Sequence, residues 1–188
     1  DPLFDVEMDA LDAAALRAEA ERIDEYRVVE WSDIKPIRKL GEGAFGEVLL
    51  AEGNGVEVAV KIFKNATKEA AEDFKHEAVM MAKVAHHPHV VRFIGAAFKD
   101  NSIAMVLALC SGGSLLSALE KKKLDAAAKT RILRETASAL SFLHSLGIVH
   151  RDIAARNVLL DGHGVAKLAD LGMSRVLEDK QGEQTTAN

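Results

Sequence analysis

Two periodicities divide the chain. Between residues 34 and 109 apolar positions fall in short alternating runs; beyond Ser114 they recur every three or four residues. Residues 37–40 and 47–52 read as strands on either side of a glycine-rich turn, and Gly53-Asn54-Gly55 is a hairpin signal, because Asn and Gly tolerate the positive φ of a tight turn. Within 57–63, Val58, Val60 and Ile62 share one strand face, and Ala59, Lys61 and Phe63 share the other. Residues 67–84 predict a helix with Thr67 as N-cap and Phe74, Ala78 and Met81 along one stripe, ended by His87-Pro88. Two apolar strands follow, at 90–98 and 103–109.

Ser111-Gly112-Gly113-Ser114 punctuates the chain, and the helical period then takes over. Residues 115–121 form a short predicted helix. Asp125 caps a long one over 126–146, with Ala128, Ile132, Thr136, Leu140 and Leu143 as its stripe and Gly147 as its stop. Residues 158–160 and 165–169 flank a second hairpin signal, Asp161-Gly162-His163-Gly164. The polar stretch 180–188 lacks apolar periodicity and predicts a mobile end. The expected fold class is α+β. A flanking segment, partly helical through Met8, Leu11, Ala15 and Ala18, covers 1–30; an antiparallel sheet lobe with one helix covers 31–110; a mainly helical lobe covers 111–188. The two lobes join near 108–113.

Charge sharpens this division. The 188 residues carry a net −5, yet residues 1–30 hold ten acids against three Arg, leaving the body slightly positive at +2. No basic face suits nucleic acid. No apolar run approaches the ~18 residues of a membrane helix, so membrane attachment would have to come from segments outside this chain. Cys110 is the single cysteine, which rules out an internal disulfide, fits a reducing compartment and predicts no redox role. His86, His87 and His89 lack further Cys or His at zinc spacing and read as a polar loop.

Gly41-Glu42-Gly43-Ala44-Phe45-Gly46 matches G-x-G-x-x-G. A strand follows it, not a helix, so Gly41, Gly43 and Gly46 cap a hairpin whose backbone N–H groups could approach a polyphosphate; an ordinary tight hairpin is the plainer alternative. Lys61 shares a face with Ala59 and Phe63. It is either a rim lysine that reaches water or a buried cation needing a partner, for which Glu77 is the candidate. His150-Arg151-Asp152-Ile153-Ala154-Ala155-Arg156-Asn157 follows a short strand and should be a loop, with Asp170-Leu171-Gly172 beginning thirteen residues beyond Asn157. Asn157 and Asp170 offer oxygen ligands suited to Mg²⁺, and Asp152 is left free to accept a proton or orient a hydroxyl.

Taken together, residues 34–178 resemble a eukaryotic protein kinase: glycine loop, Val58-Ala59-Val60-Lys61, a helix Glu, His-Arg-Asp…Asn and Asp-Leu-Gly stand in the family's order. The resemblance implies a bilobal kinase fold, ATP and Mg²⁺ as cofactors, and a protein substrate. It implies that Lys61 holds the α- and β-phosphates with Glu77 fixing it, that Asp152 is the catalytic base and that Asn157 and Asp170 bind the metal. Leu40, Val48, Ala59 and Leu159 match the positions that sandwich adenine. Leu107 matches the residue at the back of that pocket, and Ala108–Cys110 match the hinge. Met81, Phe93, His150 and Leu171 match a stacked column linking the lobes. Ala154-Ala155-Arg156-Asn157 is similar to the tyrosine kinase form, with Arg156 replacing a lysine that serine/threonine kinases carry two residues after the catalytic Asp.

The implied activity is γ-phosphate transfer from ATP to a protein tyrosine hydroxyl, in the cytoplasm or at the cytoplasmic face of a membrane. The alternatives are a serine/threonine or dual-specificity kinase and a non-catalytic nucleotide-binding scaffold. Leu171 replaces the family's usual Phe, and no Ala-Pro-Glu element follows Asp170. Residues 126–146 are therefore expected to expose apolar surface, and the fragment is expected to be inactive alone. Oligomeric state is left open.

Overall fold

The computed structural model describes Arg17 and residues 27–43, 46–63, 68–99 and 102–177. The helix expected around 8–20, Thr67, the loop tip at Ala44 and Phe45, and the polar end lie outside the described residues, except that Arg17 is helical and its guanidinium pairs with Glu30.

Five antiparallel strands form the first lobe in the order β1-β2-β3-β5-β4: β1 (Ile34–Gly43), β2 (Gly46–Gly53), β3 (Val56–Phe63), β4 (Phe93–Lys99) and β5 (Ser102–Ala108). Asn54 and Gly55 both take positive φ, 51° and 78°, as the two-residue turn between β2 and β3 requires. Gly46 opens β2 at φ 133°, and a Cβ there would collide with the Ile62 carbonyl, so only glycine fits. The predicted alternation in β3 holds. Val58 and Val60 enter a small cluster with Ile34, Ala51 and Val106, against which Ile62 and Trp31 pack. Phe63 faces the opposite side, into the main core.

That side is covered by α1 (Lys68–Val84). Ala71, Phe74, Ala78 and Met81 line its buried stripe. Phe74 meets Phe63 edge-on at 5.6 Å and Phe98 at 5.9 Å. Residues 27–29, which the sequence places in the flanking segment, join the sheet: Val29 N–H donates to the Ala96 carbonyl at 2.7 Å, and Ala96 N–H donates to the Arg27 carbonyl at 2.9 Å.

The second lobe contains β6 (Gly113–Ser114), α2 (Leu115–Glu120), α3 (Ala126–Ser145), β7 (Ile148–Val149), β8 (Val158–Leu160), β9 (Ala166–Leu168) and β10 (Arg175–Val176). Asp125 caps α3 by accepting from Ala128 N–H at 2.7 Å, and Gly147 follows the helix at φ 71°. The stripe is shifted slightly. Ile132, Ala139 and Leu143 are fully buried, whereas Leu140 is half-buried and Leu133 lies open at 68% exposure. Leu146, Val176 and Leu177 are also exposed, so the expected apolar surface extends from α3 to the β7–β10 ribbon. One core runs through both lobes, from Phe63 and Phe74 through Val90 and Phe93 to Leu143, Leu168 and Leu171.

Phe74 is the ring on which both aromatic neighbours depend. Phe74→Ala should destabilise the full chain by about 3–5 kcal/mol, read from the denaturation midpoint at unchanged slope.

Candidate functional site

Lys61 stands in β3 between Val48 of β2 and Met105 of β5, near the middle of the sheet. Strand alternation aims it at α1, and its side chain is only 14% exposed. Nζ donates to both Glu77 carboxylate oxygens, at 2.8 and 2.6 Å, and lies 5.3 Å from the Phe63 ring centre. The buried-and-paired alternative therefore holds, and Glu77 is the partner. Glu77 is itself almost wholly buried. Burial pushes its carboxyl above the usual range, with the Lys61 charge pulling the other way.

Asp170 approaches the same cation, with Oδ1 at 3.6 Å from Lys61 Nζ. Its backbone lies in the left-handed region at φ 61°, and Arg151, beside Asp152, does likewise at φ 69°. Two non-glycine residues in this region, one in each loop, are strain of the kind that collects at functional sites. Asp170 Oδ1 is buried yet accepts no hydrogen bond among the described residues. A buried carboxylate oxygen without a donor is a ready ligand for a hard cation.

The loop after β7 is organised by His150, which is buried. Its Nε2 donates to the Ala169 carbonyl at 3.0 Å, and its Nδ1 accepts from Asp152 N–H at 3.3 Å; the tautomer with hydrogen on Nε2 serves both bonds. Ala169 N–H donates to the Asn157 carbonyl at 2.8 Å. The Asn157 side-chain amide donates to the Asp152 carbonyl at 2.9 Å and to Asp152 Oδ2 at 2.8 Å. With both amide hydrogens engaged, the side-chain oxygen of Asn157 is the group it can offer a cation beside Asp170. The donor set, one carboxylate and one amide oxygen next to a lysine, suits Mg²⁺ shared with phosphate better than an all-protein metal cage.

Asp152, which the sequence reading leaves to accept a proton or orient a hydroxyl, is itself held by two side chains. Arg156, four residues on, donates through Nη2 to both of its oxygens, at 2.6 and 2.8 Å. The bond from Arg156, then that from Asn157, holds the Asp152 carboxyl below the usual carboxylate range. The spacing of four does not announce this pairing, because Asp152 lies before the short 3-10 turn at Ala155–Asn157.

The positions matched to adenine are distributed as follows. Ala59 lies opposite Leu107 across β3 and β5, Val48 opposite Gly41 across β1 and β2, and Leu40 is 40% exposed near a bulge in β1. Leu159 and Cys110 pack on the main core from below, and Leu107 from β5. Ala108 N–H is taken by the Arg92 carbonyl at 2.9 Å, so a flat heterocycle at this strand end would meet the Ala108 carbonyl and the backbone of Cys110. Burial pushes the Cys110 thiol up to about 11, which keeps it from acting as a thiolate. Gly41, Gly43 and Gly46 sit at the β1–β2 turn. Met81, Phe93, His150 and Leu171 are all buried where the lobes meet.

A separate groove of about 610 Å³, lined by Ala82, His86, His87, Arg92 and Lys167 among others, contains none of the carboxylates above. There His87 stacks on Phe142 at 4.8 Å, which accounts for one of the three histidines as a packing residue. The sequence takes Ser174 as a polar loop residue or possible phosphosite, but it is fully buried, and its carbonyl lies 2.7 Å from Nε2 of His76, which the sequence reading did not single out. A lone His on a helix and a lone Ser in a loop carry no signal until the fold brings them together.

The sequence profile described as protein tyrosine and serine/threonine kinase matches residues 34–188. Fer-related kinase 1 of Caenorhabditis elegans is 45% identical over 73% of this chain and 36% of its own length. A putative serine/threonine-protein kinase/receptor, R818, of Acanthamoeba polyphaga mimivirus is 33% identical over 88% of this chain and 10% of its own. A probable serine/threonine-protein kinase of Arabidopsis thaliana, SIS8, is 35% identical over 78% and 15%. The chain belongs to the protein tyrosine and serine/threonine kinase family. It spans about a third or less of the length of these relatives.

Two outcomes follow from the geometry. Lys61→Met leaves a buried carboxylate unpaired and should cost about 2 kcal/mol of stability; adding Glu77→Leu should recover most of it, measured as a double-mutant cycle in urea. Arg156→Ala should raise the Asp152 pKa toward its usual value near 3.8, followed by NMR titration of the carboxyl carbons.

Proposed function

We propose that the protein transfers the γ-phosphoryl group of ATP to a tyrosine hydroxyl of a protein substrate. The observation that carries phosphoryl transfer is the assembly of Lys61, Glu77 and Asp170 on one side and Asp152 and Asn157 on the other, tied through Ala169. Lys61, fixed by Glu77, would neutralise the α- and β-phosphates. Asn157 and Asp170 would hold Mg²⁺, which when bound offsets phosphate charge. Leu40, Val48, Ala59 and Leu159 would enclose the adenine, with Leu107 behind it and Ala108 and Cys110 along its edge. The glycine turn would cover the phosphates.

Asp152 would align the acceptor hydroxyl and take its proton. Its depressed pKa makes it a weak base, so its work is chiefly orientation and charge, as expected where the transition state is loose. Tyrosine preference draws its support from Ala154 and Arg156. The cation reaches Asp152 from four residues on, and the short side chain of Ala154 leaves space for a phenol. A serine/threonine acceptor is the second reading, favoured by the names of two relatives.

In the full-length chain, Asp152→Asn should reduce turnover by at least ~10²-fold with ATP affinity changed less than about threefold. Undiminished turnover in that variant would falsify the role of Asp152. Paired peptides differing only in Tyr or Ser decide the acceptor: the tyrosine reading expects the Tyr peptide to be preferred by at least tenfold, and equal rates overturn it. EDTA should abolish transfer and excess Mg²⁺ should restore it.

A further inference from the structure

The helix that carries Glu77 is tied directly to the segment that follows Asp170. His76 precedes Glu77 on α1, and its Nε2 lies 2.7 Å from the Ser174 carbonyl, 98 residues along the chain. A carbonyl oxygen can only accept, so Nε2 carries the hydrogen and donates. Ser174 is fully buried, and its acceptor is held in place. Both its N–H, at 2.9 Å, and its hydroxyl, at 2.6 Å, donate to the Leu171 carbonyl, closing a tight turn over 171–174. Leu171 is itself fully buried in the core between the lobes. Gly172 brings this turn against the site: a Cβ there would stand 3.4 Å from both Asp170 Oδ1 and Glu77 Oε2.

From this geometry we infer that His76 and Ser174 form a positioning latch. It holds the Asp170 segment on α1, so that Lys61–Glu77 and Asp170 are correctly placed together or not at all. The inference rests on the phosphoryl-transfer reading for its effect on activity, and on the contact alone for its effect on the loop. Neither residue touches a nucleotide or acceptor in this scheme. Without the latch, α1 and the loop would move separately, and only the fraction of molecules with both in place would be competent. A single hydrogen bond to a buried turn is of a size to change that fraction several-fold, not to abolish function.

The test compares His76→Leu, His76→Gln and Ser174→Ala in the full-length chain. Gln keeps an N–H donor at similar reach; Leu fills the space without one; Ser174→Ala loosens the turn and leaves His76 intact. Hydrogen exchange of the peptide covering 170–177 is read in all three, with thermal midpoints as a folding control. His76→Leu should exchange that peptide at least fivefold faster and lower kcat/KM for ATP about fivefold. His76→Gln should return both to within twofold of the parent. Ser174→Ala should shift both in the same direction, and the pair with His76→Leu should be less than additive. If His76→Leu leaves both readouts unchanged, or His76→Gln is as impaired as His76→Leu, the latch is wrong. If His76→Leu does not fold, Ser174→Ala decides alone: faster exchange supports the latch and unchanged exchange overturns it. Lys61→Met separates the two levels. If it leaves turnover intact, the phosphoryl-transfer reading fails while the exchange data still judge the latch.

Discussion

The arrangement depends on one buried ion pair. Lys61 and Glu77 come from a strand and a helix that are far apart in the Ramachandran sense but adjacent in space, and each is removed from water by the other's element. An ammonium and a carboxylate in that position are tolerable only as partners, because either one alone would carry most of its desolvation cost. The pair therefore reports whether α1 is seated on the sheet. It also sets a positive charge at a fixed depth, and Asp170 is drawn to within 3.6 Å of it from the other lobe. Three elements thus meet at a single nitrogen.

Much of this was legible along the chain. Strand alternation fixed the face on which Lys61 lies, and helical spacing put Phe74, Ala78 and Met81 toward the core. Asp125 and Gly147 marked the ends of α3 through ordinary capping chemistry. The strand order β1-β2-β3-β5-β4 was not legible, because alternation gives the faces of strands and not their neighbours. Within the site, Lys61 and Glu77 were recognisable as complementary charges. The pairing of Asp152 with Arg156 was not legible, because Arg156 sits in a short 3-10 turn that has no hydrophobic period to announce it. The bond between His76 and Ser174 was invisible for a related reason: it joins residues 98 apart, and nothing local pairs them.

Polar groups in the interior divide the labour. His150 binds the backbone of its own loop to the strand end before Asp170, which fixes the main chain at both Asp152 and Ala169. Asn157 serves twice, through its main chain to Ala169 and through its side chain to Asp152. Among the described residues, Asp170 Oδ1 is buried without a hydrogen-bond donor, and it is an atom for which a cation is the natural complement.

The loop between α1 and β4 is pinned to the second lobe: Val91 N–H donates to the Leu168 carbonyl at 2.9 Å, and Leu168 N–H to the His89 carbonyl at 2.8 Å. With the covalent crossing after β5, these bonds fasten the strand-rich part to the β8–β9 hairpin at a second point. Relative movement of the two parts must either turn about these bonds or break them.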